Sequence, residues 1–246
     1  MKHTSEQSYP SWIWPAIVVA LLIVGAVAAR PYLRPSATAV DKIAVVQDAP
    51  AEPETIKKTL LTTGKGEEIA LPAHVIAKVD EATSGAPTQV PWEKYLLAPL
   101  SKAEWISQRV GGNHEGTITI DEWFAIVRDG TLVGGELHFD ISTVQVFGDQ
   151  GHIIAQHLQA EDFFNVQKFP DASFVMTDIT NNSVSGILTM KNTSKLITFP
   201  AIIQVDGENL LFRAEFAIDR KQWGIHGGGK MISDYIELSF TLRFSQ

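Results

Sequence analysis

Between Met231 and Ser245 apolar and polar side chains alternate. Ile232, Ile236, Leu238, Phe240, Leu242 and Phe244 fall on one side of an extended chain, and Tyr235, Glu237, Ser239, Thr241 and Arg243 on the other. A repeat of two residues belongs to a strand half-buried on a core; a helical period cannot sort side chains this way. The same pattern returns upstream in Val133, Gly135, Leu137, Phe139 and Ile141, in Ile197, Phe199, Ala201, Ile203 and Val205, and in Leu210, Phe212, Ala214, Phe216 and Ile218. A sheet built of many such strands, each with one apolar face, closes into a barrel or folds into a sandwich. The C-terminal half is therefore antiparallel β, and the space between its apolar faces is where function is to be sought. Gly135, Ala201 and Ala214, small residues at inward positions, argue for some room there.

Turn residues divide the rest of this region. Trp105–Val110, Gly116–Ile120 and Phe124–Val127 read as strands, as do Phe174–Thr180 and Ser183–Lys191, which brings the total to eight or nine. Asp129-Gly130, Asn181-Asn182 and Asp206-Gly207 are the turn signals. Between Gly151 and Asn165 the period changes to a helical one, with Ile153, Ile154, His157 and Leu158 on one face.

The N-terminal end has a different character. No charge occurs between Glu6 and Arg30, and the apolar run from Trp12 to Ala29 would span about 27 Å as a helix, close to the hydrocarbon core of a bilayer. Trp12 and Trp14 stand where interfacial indoles belong. An uncleaved membrane anchor is the expectation. A signal peptide cut after Ala26-Val27-Ala28 is the alternative. Residues 31–100 carry eight prolines and read as a spacer between this segment (1–30) and the β domain (101–246). Glu68–Val79 and Trp92–Leu97 are the stretches within it that would be ordered, the second as a short helix packed on the domain or as a loop.

Composition excludes several functions. The net charge is −8 and Lys and Arg are scattered, which argues against nucleic acid as a partner. There is no cysteine, hence no disulfide, thiolate metal site or cysteine nucleophile. His152 and His157 are five apart, off a common helical face, and His114, His138 and His226 fall in separate elements, so no metal is expected. Neither a G-x-S-x-G elbow nor an H-E-x-x-H or P-loop motif occurs, so no catalytic residue is assigned. Gly227-Gly228-Gly229-Lys230 precedes a strand rather than a helix and reads as a flexible loop, with Lys230 a weaker candidate for an anionic head group at the rim.

Four ordered segments resemble the YceI-like family. Leu158–Phe174, with its Asp162-Phe163-Phe164 and Lys168-Phe169-Pro170, resembles the family's helix-ending hallmark. Ser185–Lys191 is similar to its glycine-containing strand and turn, with Asn192 where the family usually has glycine. Phe216–Ile225 resembles its "D-R-t-x-W-g-I" segment through Asp219, Arg220 and Trp223, and Ile232–Leu238 matches its closing strand. The opening, Gly112-Asn113-His114-Glu115-Gly116, looks like the subgroup with a "G-x-H-x-G" start.

The resemblance implies a lipocalin-like antiparallel barrel of about eight strands with a short helical insert, holding a long isoprenoid in its interior. It implies a cavity lined from among Phe139, Phe163, Phe164, Phe174, Met176, Leu188, Phe199, Phe212, Phe216, Trp223 and Phe240. Phe163 and Phe164 would gate the mouth or plug the helix onto the barrel, and Trp223 would line the pocket or close the floor. Asp219 and Arg220 would form an ion pair or cap a turn. Some members are exported to the periplasm, and some are fused to or encoded with cytochrome b561-type membrane proteins, which implies a membrane redox partner. The expected function is that of a membrane-tethered periplasmic binder of a polyprenyl quinone or polyprenyl phosphate, without catalysis or a cofactor. The alternative is an interaction module whose barrel is filled by side chains and docks a membrane partner.

Overall fold

The computed structural model describes residues 42–49, 58–62, 68–72, 93–98, 101–180 and 182–246. The apolar run at 12–29, expected to be an anchor, lies outside them; among the described residues no helix is long and apolar enough to cross a membrane.

Eight antiparallel strands close on themselves. In chain order they are β5 (Lys102–Arg109), β6 (Gly112–Arg128), β7 (Thr131–Val146), β8 (Asp171–Thr180), β9 (Ser183–Met190), β10 (Thr193–Asp206), β11 (Asn209–Asp219) and β12 (Ile232–Ser245), with β1 (Val45–Asp48), β2 (Lys58–Thr62), β3 (Glu68–Pro72) and β4 (Glu93–Leu97) preceding them. Each ring strand pairs with its successor, and β12 returns to pair with β5. Closure removes the open edges that a long sheet would otherwise expose. β2 and β3 form a separate two-stranded sheet.

Two parts of the region read as spacer belong to the barrel sheet. Trp92–Leu97 was expected as a helix or loop, yet β4 pairs with β6 through Glu93↔Val127 and with β12 through Phe244↔Leu97, so it continues β5 downward as one interrupted strand. Tyr95 explains why: it is fully buried, and its hydroxyl donates to the Gly207 carbonyl at 2.6 Å. β1 fills a seam. Beyond Ala201↔Ala214, β10 and β11 diverge, at the point where Pro200 interrupts β10. β1 pairs with Lys195–Thr198 on one side. On the other, Ala44 N–H donates to Ala217 O at 2.9 Å and Ala217 N–H to Lys42 O at 3.1 Å.

The separate strands expected at Gly116–Ile120 and Phe124–Val127 are one 17-residue strand, β6. Its register against β7 shifts at three places, 117/119, 120/122 and 126/127, and such bulges bend a long strand around a barrel. The hairpins follow the turn residues. Asp129 and Gly130 both have positive φ (50° and 68°), and Lys191 and Asn192 do likewise (47° and 59°). Asparagine tolerates this conformation, so the turn closes without glycine at 192.

The helical insert is shorter than expected: α1 runs Gly151–Gln159 and the chain to Pro170 is turns. Ile154 and Leu158 pack on the barrel, while Ile153 is left exposed. The hairpins at 129–130 and 206–208 mark the lower end of the barrel. α1 and a short 3₁₀ turn (Arg220–Trp223) mark the upper end. Trp123 plugs the lower end, 4.5 Å from the Phe244 ring and 5.9 Å from Phe212, with Tyr95, Leu132 and Leu210 buried around it.

Candidate functional site

Above that plug the barrel interior is not full. A hollow of about 110 Å³ is walled by side chains from β5 to β12, and only Glu104 and Arg220 among the bordering residues are charged. Its shape follows from aromatic packing. The rings of Phe174, Phe199, Phe216, Phe240 and Phe139 form a chain, with Phe199 and Phe216 stacked at 4.0 Å and 11° and the other neighbours 5.4 to 5.8 Å apart. Rings in contact hold one another in place, so the space beside them stays open at little conformational cost. Leu137, Ile141, Leu188, Ile197, Ile236 and Leu238 complete the wall.

Eight of the eleven cavity candidates border this hollow: Phe139, Phe164, Phe174, Leu188, Phe199, Phe212, Phe216 and Phe240. Three do not. Met176 is 1% exposed and belongs to the solid core below it. Trp223 is fully buried in the core without reaching the hollow, its indole N–H donating to Leu188 O at 3.1 Å. Phe163 faces a second chamber, under α1.

The glycines make room for aromatic rings. At Gly186 a Cβ would stand 2.3 Å from Phe174 Cζ and 2.6 Å from Val175 O, so only glycine lets that ring lie flat against β9. At Gly227 a Cβ would meet the Phe163 ring at 2.4 Å, while the Gly227 N–H donates to Asp162 O at 2.9 Å. The glycine run expected as a free loop is thus the seat of Phe163, and Lys230 is exposed and borders neither the hollow nor the chamber. The small residues that open the interior are Ala103 and Ala172. Gly135, Ala201 and Ala214 do not border it; Gly135 is packed under Trp123.

The second chamber, about 130 Å³, adjoins the hollow through Trp105, Leu158, Phe164, Arg220, Ile225 and Ile236, which border both. Its wall adds Ser107, His114 and His157. Of the two roles expected for Asp219 and Arg220, an ion pair or a turn cap, Asp219 takes the second. Asp219 caps the 3₁₀ turn by accepting from Lys221 N at 3.0 Å. Arg220 turns inward, 1% exposed, donating through Nε to Ser233 O (3.0 Å) and through Nη1 to Ile225 O (2.7 Å). Burial pulls its pKa down, opposed by the charges of Asp234 and Asp219. The guanidinium is held because its backbone partners replace water. Burial, then the neighbouring Arg109 cation, lower the pKa of His114 from its ordinary 6.5.

Sequence reasoning missed Trp105, Ser107 and Arg220 as interior polar groups. Trp105 and Ser107 alternate along β5 on its inward face, a signal that was legible; the inward turn of Arg220 depends on the 3₁₀ turn and was not.

A family model described as the YceI-like domain matches residues 101–244. A UPF0312 protein of Pseudomonas putida (strain F1) is 33% identical over 85 residues, 30% of this chain and 44% of that protein. A UPF0312 protein of Pseudomonas fluorescens (strain SBW25) is 31% identical over 98 residues, 35% of this chain and 50% of that protein. The chain thus spans half or less of the length of these curated relatives. Among solved structures, BcnA of Burkholderia cenocepacia is 20% identical with a TM-score of 0.47, covering 58% of this chain and 95% of that one. The YCEI protein of Campylobacter jejuni is 23% identical with a TM-score of 0.43, covering 52% and 84%. YceI-like barrels are known for binding hydrophobic ligands. With more than half of its length matched by the family model, in a closed antiparallel barrel with one short helix, the chain belongs to the YceI-like family.

Proposed function

We propose that this protein is a non-catalytic lipid binder that holds the tail of a long polyisoprenoid, a polyprenyl quinone or polyprenyl phosphate, in the barrel hollow. The observation that carries this reading is the hollow itself, walled by apolar side chains from every ring strand and held open by a chain of five packed phenylalanines. Each buried CH₂ contributes roughly 0.8 kcal/mol before ordering costs, so a tail can be retained with no polar contact along its length. The apolar run at 12–29 supports tethering to a membrane, next to the phase where such lipids reside, and the export of some family members supports the periplasmic side of the inner membrane as the barrel's place. A membrane redox protein is the partner this arrangement suits. The test is solvent extraction of the full-length protein purified from membranes, followed by lipid mass spectrometry. A polyprenyl species in near-stoichiometric amount is expected. Folded protein that carries no lipid, and takes up none when offered, overturns the reading in favour of a barrel that serves as an interaction module.

A further inference from the structure

Five buried side-chain polar atoms among the described residues have no hydrogen-bond partner, and three of them, Trp105 Nε1, Ser107 Oγ and Arg220 Nη2, belong to residues that border the chamber under α1. All three residues are more than nine-tenths buried, at 7%, 6% and 1% exposure. Buried polar groups in folded proteins are nearly always paired, so three orphans around one space call for an explanation. Their chemistry agrees. An indole N–H and a guanidinium N–H only donate, and a serine hydroxyl can donate as well. Arg220 Nη2 lies 3.7 Å from Asp234 Oδ1, outside hydrogen-bonding range, and the other oxygen of Asp234 is taken by Lys221 Nζ at 2.8 Å. No Asp or Glu borders the chamber. The result is a small cationic pocket of donors, opening directly onto an apolar hollow.

We propose that this chamber binds the anionic head of an amphiphile, a phosphate or a carboxylate, while its tail lies in the hollow. The inference rests on the lipid-binding reading and deepens it. Head oxygens would accept from the Arg220 guanidinium, the Ser107 hydroxyl and the Trp105 indole. A neutral alcohol of equal chain length would satisfy fewer of these donors and gain no charge-assisted bond to the guanidinium.

The experiment uses full-length protein in detergent, stripped of lipid. It compares two pairs with matched tails: geranylgeranyl phosphate against geranylgeraniol, and palmitate against hexadecanol. In each pair the anion is expected to bind about tenfold tighter or more, the effect of one charge-assisted hydrogen bond. Arg220→Gln is expected to abolish the preference, read as the ratio of the anion's affinity to that of its matched alcohol. Arg220 also ties two backbone carbonyls, so Ser107→Ala and Trp105→Phe, which keep the core filled, give an independent reading; each is expected to reduce the preference. Tighter binding in only one pair identifies the head as phosphate or as carboxylate. Equal binding of anion and alcohol in both pairs overturns the chamber's role and leaves the lipid-binding reading standing. Failure of all four compounds to bind folded protein overturns both.

Discussion

Single side chains decide how much of this barrel stays open. Gly186 lets the Phe174 ring lie against β9, and the nearest obstacles to a methyl group there are that ring, which must move, and the Val175 carbonyl, which is fixed in the backbone. Gly186→Ala is expected to cost about 1–3 kcal/mol in urea unfolding and to push the ring into the hollow. Ala172 borders the hollow without filling it. Ala172→Leu is expected to lower the amount of lipid recovered from purified protein several-fold, with a smaller change in stability. His114 adds a pH dependence. Its pKa is lowered in the folded protein by burial and by Arg109, so the unfolded chain takes up the proton first. Stability is therefore expected to fall as pH drops below about 6.5 and to level off below the folded pKa. His114→Gln flattens that part of the curve when unfolding is followed between about pH 5 and 7. At this scale much was visible in the residues themselves: large apolar groups at alternate positions are wall or core by necessity. Which of them touch open space was not, because Met176 and Phe174 share a strand and a face while only one meets the hollow.

Among the elements, the long terminal strand, the hairpin turns and the change of period before α1 could all be read from the chain, because each is a local pattern. What could not be read is non-local. β6 looked like two strands because its bulges break the alternation, and a bulge in a sequence is indistinguishable from a turn. β1 offers only Val45 and Val46 as apolar residues, and its place in the wall follows from the parting of β10 and β11 more than one hundred residues later. That place makes it testable. Ala44→Pro removes the donor to Ala217 O and is expected to accelerate amide hydrogen exchange selectively at Ala217 and across Lys195–Thr198, leaving the β11–β12 ladder protected.

For the whole molecule, the folding unit is larger than the segment that carries the family likeness. A fragment of residues 101–246 lacks β1 and β4, and so leaves the site of Tyr95 empty and the seam between β10 and β11 unfilled. It is expected to melt well below a fragment beginning at residue 42, or to aggregate; equal melting temperatures by calorimetry would show that the two added strands contribute nothing. The inserted strand also sets the length of the leash. If the apolar run ending at Ala29 sits in a bilayer, the fifteen residues 30–44 separate it from the first strand of the wall, a stretch of at most about 54 Å. The long proline-rich segment that follows is then an excursion between two wall strands rather than slack in the line, and the barrel is moored close to the lipid surface.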